Sequence, residues 1–163
     1  ATSSPVPVRT ETPGPIQELS AAGKHACAIA QDATVWCWGA NANGWLGIGD
    51  TPTSPLPLRV PGLQGVVRVA TSTNHTCVRL ANGSHACWGT YWYGALGHGC
   101  QYETPIPVPV DIGDATLVHE GGATIHSCAV LEDASVSCWS SGGSWVSPAL
   151  GPLWLIHLLR LCG

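Results

Sequence analysis

The sequence predicts an all-β fold built from three disulfide-bonded repeats in an incomplete, open array. Three observations support this prediction. A His-x-Cys pair with Cys-Trp ten residues further on occurs three times, at a period of 50 and then 51 residues. Short apolar runs alternate with turn residues, with 20 Gly and 13 Pro among 163 residues. A period of this length is typical of repeat architectures, and short runs punctuated by turns favour strands over helices.

The repeats follow one another along the chain between two atypical ends. Residues 1–15 match the closing strand of a preceding repeat whose body is missing, because Pro5-Val6-Pro7-Val8 matches Pro55-Leu56-Pro57-Leu58. Repeat 1 is predicted over 16–65, repeat 2 over 66–115 and a truncated repeat 3 over 116–144. Residues 145–163 form a divergent hydrophobic tail that is too short and too interrupted to span a bilayer.

A β-hairpin is predicted inside each repeat, with the two cysteines facing each other across it. If Cys27 faces Cys37, the turn centres on Asp32 and the next residue takes the left-handed conformation. The Cα atoms of directly opposed cysteines lie within the distance range of a disulfide. Each bond closes a short loop and should stabilise the folded state by roughly 2–3 kcal/mol. The same arithmetic predicts left-handed residues at Ala33, Gly83 and Ala134 and disulfides Cys27–Cys37, Cys77–Cys87 and Cys128–Cys138.

Metal binding is the alternative use of these cysteines. Each repeat offers only three obvious ligands and lacks the Cys-x-x-Cys spacing of structural zinc sites. Disulfides are therefore favoured, and no metal or cofactor is expected. Disulfides require an oxidising compartment, so the protein is predicted to be secreted or on the extracellular surface.

The order of motifs resembles the RCC1 repeat, in its cysteine-bearing extracellular variety. The resemblance rests on His-x-Cys, an Asp or Asn turn, Cys-Trp-Gly, a Gly-x-Leu-Gly-x-Gly loop at 44–49 and 94–99, and a Pro-x-Pro strand. It implies a β-propeller of four-stranded blades, usually seven to a ring. Members of this family act mostly through their surfaces; some promote nucleotide exchange on a small GTPase, and one secreted type inhibits β-lactamases.

The recurring His and Trp residues are expected to be structural. His25, His75 and His126 are expected to hydrogen-bond neighbouring backbone inside each blade. Trp38, Trp88 and Trp139 alternate with the cysteines on their strands, so they are expected to pack between blades.

Residues that break the repeat pattern are the candidates for binding. Trp45 and the run Tyr91-Trp92-Tyr93 place aromatic residues on equivalent loops of adjacent blades, where they either bind a partner or pack locally. Arg79 and His85 face each other where the other repeats have apolar pairs, which predicts a solvated face. His98, in the second glycine loop, is a further candidate.

Two cysteines and two asparagines remain outside this scheme. Cys100 and Cys162 either pair with each other, joining the tail to the second repeat, or form intermolecular bonds. Asn82 and Asn74 stand in Asn-x-Ser/Thr motifs, so each is a candidate for glycosylation in a eukaryotic host, with Asn82 the better placed on its turn.

The predicted function is non-enzymatic binding of a protein or glycan outside the cell through the blade loops. The alternative is a structural subunit that assembles into an oligomer or filament through exposed blade edges. Guanine-nucleotide exchange rests on family analogy alone. A net charge of −4 argues against nucleic acid, and no catalytic constellation such as Gly-x-Ser-x-Gly occurs.

Overall fold

The structure is a computed structural model that describes residues 6, 9–90, 96–98, 103–113, 115–120 and 127–139, with backbone only for 116–120. Within these ranges the chain forms β strands and no helix, and so no helix that could cross a membrane. The strands are β1 (Ile16–Ala22), β2 (His25–Ala30), β3 (Val35–Gly39), β4 (Ser54–Arg59), β5 (Val66–Thr71), β6 (His75–Leu80), β7 (His85–Gly89), β8 (Thr104–Val110), β9 (Ala115–Glu120), β10 (Ser127–Leu131) and β11 (Val136–Trp139).

The strands form three antiparallel sheets in which each strand pairs with its neighbour in sequence. The first sheet has the order β1-β2-β3-β4, the second β5-β6-β7-β8, and the third β11-β10-β9. The predicted all-β class and the open array of disulfide-bonded sheets are confirmed. The boundaries drawn for the repeats stay a prediction, and the tail at 145–163 lies outside the described residues.

The central hairpin of each sheet has the register that the cysteine spacing predicts. Cys27 pairs with Cys37, and the disulfide between them has its Cα atoms 4.1 Å apart. The second and third sheets repeat this bond as Cys77–Cys87 and Cys128–Cys138. No described cysteine is free.

The hairpin turns also have the backbone conformation that the sequence predicts. Ala33 and Ala134 have φ of 61° and 66°, and Gly83 has φ of 87°. A Cβ in this left-handed region costs about 1 kcal/mol. Hydrogen bonds also form within the first hairpin turn. The Asp32 carboxylate accepts from both the backbone N–H and the hydroxyl of Thr34.

The core lies between the sheets, because alternate residues of each strand point to opposite faces. Ile29, Val35 and the first disulfide of the first sheet pack against Val78, Ala86 and Trp88 of the second in one buried cluster. A second cluster joins the Cys77–Cys87 bond to Ala115 and Ala129 of the third sheet. The second sheet is therefore covered on both faces.

The outer strands β4 and β8 carry alternating prolines. Pro55 and Pro57 lie in β4, and Pro105, Pro107 and Pro109 lie in β8. Proline has no backbone N–H, so at these positions the strands cannot donate to a neighbouring strand. Leu56 and Ile106 on the same strands are exposed. These outer edges are therefore poor templates for strand addition.

Candidate functional site

The seam between the first and second sheets is built around His25. The Nε2 atom of His25 lies 2.9 Å from the hydroxyl oxygen of Thr76, and this hydroxyl donates to the backbone carbonyl of Trp45 at 3.3 Å. Because the Thr76 hydrogen goes to that carbonyl, the hydroxyl accepts from Nε2–H of His25. This contact crosses between two sheets and goes to a side chain. The expectation that the histidine bonds backbone inside its own blade is wrong here.

The seam between the second and third sheets has the corresponding contact between a histidine and a hydroxyl. The Nε2 atom of His75 lies 2.9 Å from the hydroxyl of Ser127. The other ring nitrogen, Nδ1, lies 2.6 Å from the hydroxyl of Ser72 at the β5–β6 turn. Both nitrogens of His75 are thus bonded to side chains. His126, the third histidine of the series, lies outside the described residues.

The surroundings of His25 differ from those of His75 at one position. Ala22 stands where the second sheet has Ser72, and the buried Nδ1 atom of His25 has no hydrogen-bond partner. Burial, with a smaller contribution from the nearby His75, lowers the pKa of His25 to about 4. The ring is therefore neutral at neutral pH and leaves one lone pair unsatisfied in the interior.

A tryptophan of each following sheet packs on a glycine turn of the preceding one. A Cβ on Gly47 would lie 2.6 Å from Nε1 of Trp88, and one on Gly97 would lie 2.8 Å from Nε1 of Trp139. Trp88 is fully buried and donates its indole N–H to the backbone carbonyl of Trp45 at 2.9 Å. Only a residue without a side chain permits this approach. Trp88 and Trp139 therefore lie between sheets, as the sequence predicts.

Trp45 is half-buried at the first seam, beside the second sheet. Its ring centroid lies 6.0 Å from that of His25, and its indole N–H donates to the hydroxyl of Thr90 at 2.8 Å. The Asn43 side chain donates to the same hydroxyl at 3.2 Å. Thr90 immediately precedes the predicted aromatic run at 91–93, which lies outside the described residues. Trp45 thus contacts the neighbouring blade and is also partly accessible.

The loop that carries Trp45 is held by one buried asparagine. The Asn41 side chain donates to the backbone carbonyls of Asp50 at 2.8 Å and Pro52 at 3.3 Å. Its oxygen accepts from the backbone N–H of Leu46 at 2.8 Å. These bonds fix the loop from within, so the backbone at Trp45 is ordered before any partner arrives.

Arg79 and His85 face each other in the hairpin of the second sheet, as the sequence predicts. The predicted solvated face is wrong, because His85 is buried and Arg79 half-buried where the third sheet packs against them. The Arg79 Nε donates to the carbonyl of Ala115 at 3.0 Å. Burial is the main cause of the lowered pKa of His85, and the charge of Arg79 lowers this pKa further. A neutral imidazole therefore lies beside the guanidinium. His98 is also buried.

The face of the first sheet that points away from the second is largely uncovered among the described residues. Leu19 is 60% exposed, whereas Val69 at the corresponding position of the second sheet is 7% exposed. Trp36, Trp38 and Ala26 on this face are half-buried. We call Leu19, Ala26, Trp36 and Trp38 the front face. An open cavity of about 510 Å³ lies at its end, lined by Trp38, Ala26 and the β1–β2 turn.

The remaining site predictions fall in two groups. Tyr91, Trp92, Tyr93, Cys100 and Cys162 lie outside the described residues. Asn82 is exposed on its hairpin turn, where its side-chain oxygen accepts from the backbone N–H and hydroxyl of Ser84. Asn74 is half-buried beside the seam. The binding and glycosylation roles of these residues stay predictions.

The described side chains offer few groups for chemistry. No group of three or more His, Cys, Asp or Glu within the described ranges is arranged to hold a metal ion. The seam histidines contact hydroxyls that connect sheets. Accessible apolar features among the described residues include the half-buried Trp45 on its rigid loop, the front face, and Leu56 and Ile106 on the outer strands.

Two family models match the chain, and both describe the Regulator of chromosome condensation (RCC1) repeat. One covers residues 32–79 and the other residues 16–44. The matches therefore cover the first sheet, the first glycine loop and the start of the second sheet. No curated protein sequence matches significantly.

Solved structures with the same fold include human WBSCR16, with a TM-score of 0.71 and 18% identity over 81% of this chain and 34% of that one. Yeast RCC1 (Prp20), solved with Kap60 bound to it, has a TM-score of 0.66 and 19% identity over 77% of this chain and 32% of that one. The CRINKLY WD40 ectodomain of the Arabidopsis thaliana receptor kinase ACR4 has a TM-score of 0.51 and 20% identity over 86% of this chain and 42% of that one. The chain thus spans about a third of the length of the first two structures.

Proposed function

The chain is built from RCC1 repeats with the blade architecture of a β-propeller, and from this premise we propose that it is a non-enzymatic extracellular module that binds a protein partner through its blade loops. The observation that carries the proposal is the loop at 41–52. Asn41 orders it from within, and it presents a half-buried tryptophan next to a second blade. A rigid aromatic anchor of this kind binds at low entropic cost.

An extracellular location is supported by the disulfides. Two of the three described bonds are fully buried between sheets, and such bonds form and persist in oxidising compartments. Among the proteins of the same fold, the Arabidopsis structure is the ectodomain of a receptor kinase. A protein is the partner class we favour, since the yeast relative by fold was solved with a bound protein.

Assembly into a fibre through blade edges is the second candidate. The exposed apolar residues of the outer strands, such as Leu56 and Ile106, favour it. The prolines of β4 and β8 oppose it, because they remove donors from the edge that a neighbouring strand would need. Nucleotide exchange on a small GTPase has the weakest support, since such GTPases are cytosolic whereas the disulfides indicate an oxidising environment.

The proposal is tested by binding to arrays of extracellular proteins and of glycans, with the disulfide-bonded protein secreted by a eukaryotic host. We expect Trp45→Ala to weaken binding to an identified protein at least tenfold, as loss of a hot-spot aromatic residue does. Trp45→Phe keeps an aromatic ring but lacks the indole N–H that bonds Thr90, so it separates binding from this local contact. Trp36→Ala, on the front face, is the matched control and should bind like the parent.

Three outcomes would count against this function. Binding only to glycans would show that the partner class is wrong. Equal binding by the Trp45→Ala and parent proteins would remove the loop from the site. Reduced thiols at Cys27 and Cys37 in secreted material, measured by intact mass, would remove the basis for the extracellular location.

A further inference from the structure

The hairpin turn of the second sheet carries an asparagine whose amide nitrogen takes no part in holding the turn. The side-chain oxygen of Asn82 accepts from the backbone N–H of Ser84 at 3.0 Å and from its hydroxyl at 2.7 Å. Within the described residues the Nδ2 atom makes no hydrogen bond, and the side chain is exposed. The oxygen alone therefore holds the turn, and the nitrogen is free to carry a substituent.

The other two hairpin turns have an aspartate at this position. The Asp32 carboxylate accepts from the backbone N–H of Thr34 at 3.1 Å. The Asp133 carboxylate accepts from the backbone N–H of Ser135 at 2.9 Å. A carboxylate oxygen thus serves this turn in the same way as the amide oxygen does. The turn explains the side-chain oxygen and the hydroxyl two residues later, but it does not explain the amide nitrogen at position 82.

Asn82 and Ser84 belong to an Asn-x-Ser motif, which is the acceptor of N-linked glycans in secreted eukaryotic proteins. The folded turn suits this modification. Both side chains are exposed, and a Cβ on the intervening Gly83 would meet no atom within 4 Å. The space around the turn is therefore open, and a sugar on Nδ2 of Asn82 would break none of the bonds to Ser84.

The second motif of this kind, at Asn74, lies in a different setting. Its hydroxyl residue, Thr76, is fully buried and bonds Nε2 of His25 across the seam at 2.9 Å. Asn74 is half-buried, and the adjacent Thr73 lies against the first sheet, since a Cβ on Gly23 would be 2.9 Å from its Cα atom. The hydroxyl of this motif belongs to the seam, which leaves little room for a sugar beside it.

We propose that Asn82 is the site of N-linked glycosylation in this chain and that Asn74 is not modified. The proposal rests on the extracellular location of the proposed function, because this modification occurs in the secretory pathway. Nδ2 of Asn82 forms a bond to C1 of the first sugar of a lipid-linked oligosaccharide pyrophosphate. The bond from C1 to the pyrophosphate oxygen breaks, the lipid pyrophosphate leaves, and Nδ2 loses one proton.

A glycan at Asn82 lies at the end of the second sheet that is opposite to the Trp45 loop. Strand β7 runs from the hairpin turn towards Thr90, whose hydroxyl accepts from the indole N–H of Trp45. The five residues of β7 span about 16 Å. The bulky, hydrophilic sugar therefore shields the hairpin end of the sheet from protein contacts and leaves the Trp45 loop accessible. A protein partner approaches from the loop end.

The test uses the full chain secreted by a eukaryotic host, with its intact mass measured before and after treatment with peptide N-glycosidase. We expect a glycan on most molecules. Peptide mass spectrometry should place it on Asn82, because the enzyme leaves an aspartate where it removes a sugar. Asn82→Asp should abolish the glycan and still fold, since Asp32 and Asp133 serve the same turn. Asn74→Gln is the matched control and should carry the glycan of the parent.

Two results would overturn the proposal. Secreted, disulfide-bonded protein without a sugar on Asn82 would show that the exposed turn is not modified. A sugar on Asn74 in a similar fraction of molecules would show that the seam does not exclude it. Peptide mapping of the parent protein assigns both asparagines, so the answer does not require that the variants be secreted. Neither result affects the function of the loop, which is tested separately by the thiols of Cys27 and Cys37 and by the binding of Trp45→Ala.

Discussion

The first and second sheets share one motif but differ in what surrounds it. His75 has both ring nitrogens bonded, to Ser127 across the seam and to Ser72 at its own turn. His25 makes only the bond across the seam, because Ala22 replaces the serine. Trp88 is fully buried between sheets, whereas Trp38 is half-buried on the front face.

The comparison separates two roles within one motif. The bond from histidine to hydroxyl across the seam occurs in both sheets, so it belongs to the docking of one blade on the next. Of the two corresponding turns that the structure describes, the serine occurs in that of the second sheet, where its hydroxyl also accepts from the backbone N–H groups of Asn74 and His75. That serine stabilises the turn locally and is dispensable for docking.

The largest expected difference is between the two tryptophans. Trp88→Ala should lower the free energy of unfolding by about 3–5 kcal/mol, as for a buried large side chain. Trp38→Ala should cost no more than about 1.5 kcal/mol, since part of that ring is already in water. Urea denaturation of both variants measures the difference. Equal losses would show that the front face is covered in solution.

The pH dependence tests the histidine of the first sheet. The pKa of His25 is about 4 in the folded protein, below its ordinary value of 6.5, so the unfolded chain takes up the proton first. The contribution of His25 to the free energy of unfolding is therefore fully present above pH 6.5. About 3 kcal/mol of that free energy is lost as the pH falls to 4. The lowered pKa of the buried His85 acts in the same direction.

Denaturation with urea at several pH values between 4 and 7 measures this loss. His25→Gln keeps a donor for Thr76 but does not titrate, so its unfolding free energy should change less steeply with pH in this window. Asp32 and Asp133, whose pKa values are lowered by bonds from Thr34 and Ser135, act in a separate window below about pH 4. The same steepness in His25→Gln and parent would show that folding does not lower the pKa of His25.

Removing the serine of the second sheet should make it resemble the first. Ser72→Ala removes the hydroxyl that bonds Nδ1 of His75 and accepts from two backbone N–H groups. We therefore expect the free energy of unfolding to fall by about 1–3 kcal/mol. Chemical denaturation gives the value, and Ser84→Ala on the exposed turn serves as a control of the same chemistry. A neutral result would mean that water replaces the hydroxyl.

The reverse substitution should give the histidine of the first sheet its missing hydrogen bond. Ala22→Ser places a hydroxyl beside the unsatisfied Nδ1 of His25, and we expect a gain of about 0.5–1.5 kcal/mol. For a chain of this size the melting temperature would rise by about 2–4 °C per kcal/mol. In the His25→Gln background the gain should disappear. A gain that persists there would come from the turn alone.

The hairpins were predictable from sequence because their geometry is local. The fixed separation of paired cysteines sets the register of each hairpin, and that register places Ala33 and Ala134 in the left-handed region. The Arg79–His85 pairing followed from the same arithmetic. Its burial did not, because it depends on a carbonyl of the third sheet, at Ala115, that no hairpin rule locates.

The contacts at the seams depend on how one sheet lies on the next, and the sequence gives no direct measure of this. The hydroxyl that receives His25 is 51 residues away. One signal was present, since the middle residue of His-x-Cys is Thr76 and Ser127 in the later copies and Ala26 in the first. Thr76 and Ser127 each bond the histidine of the sheet before them, so the hydroxyl at this position could have indicated the contact.

Asn41 has a consequence for how this protein could vary. Its side chain and backbone close the loop around Trp45, yet none of these bonds involves the Trp45 side chain. The bond that holds Trp88 uses the backbone carbonyl at position 45, which every amino acid has. The conformation of the loop therefore does not depend on the side chain at position 45, and a different residue there would lose the bond to Thr90 while the Asn41 bonds and the carbonyl that accepts from Trp88 are retained.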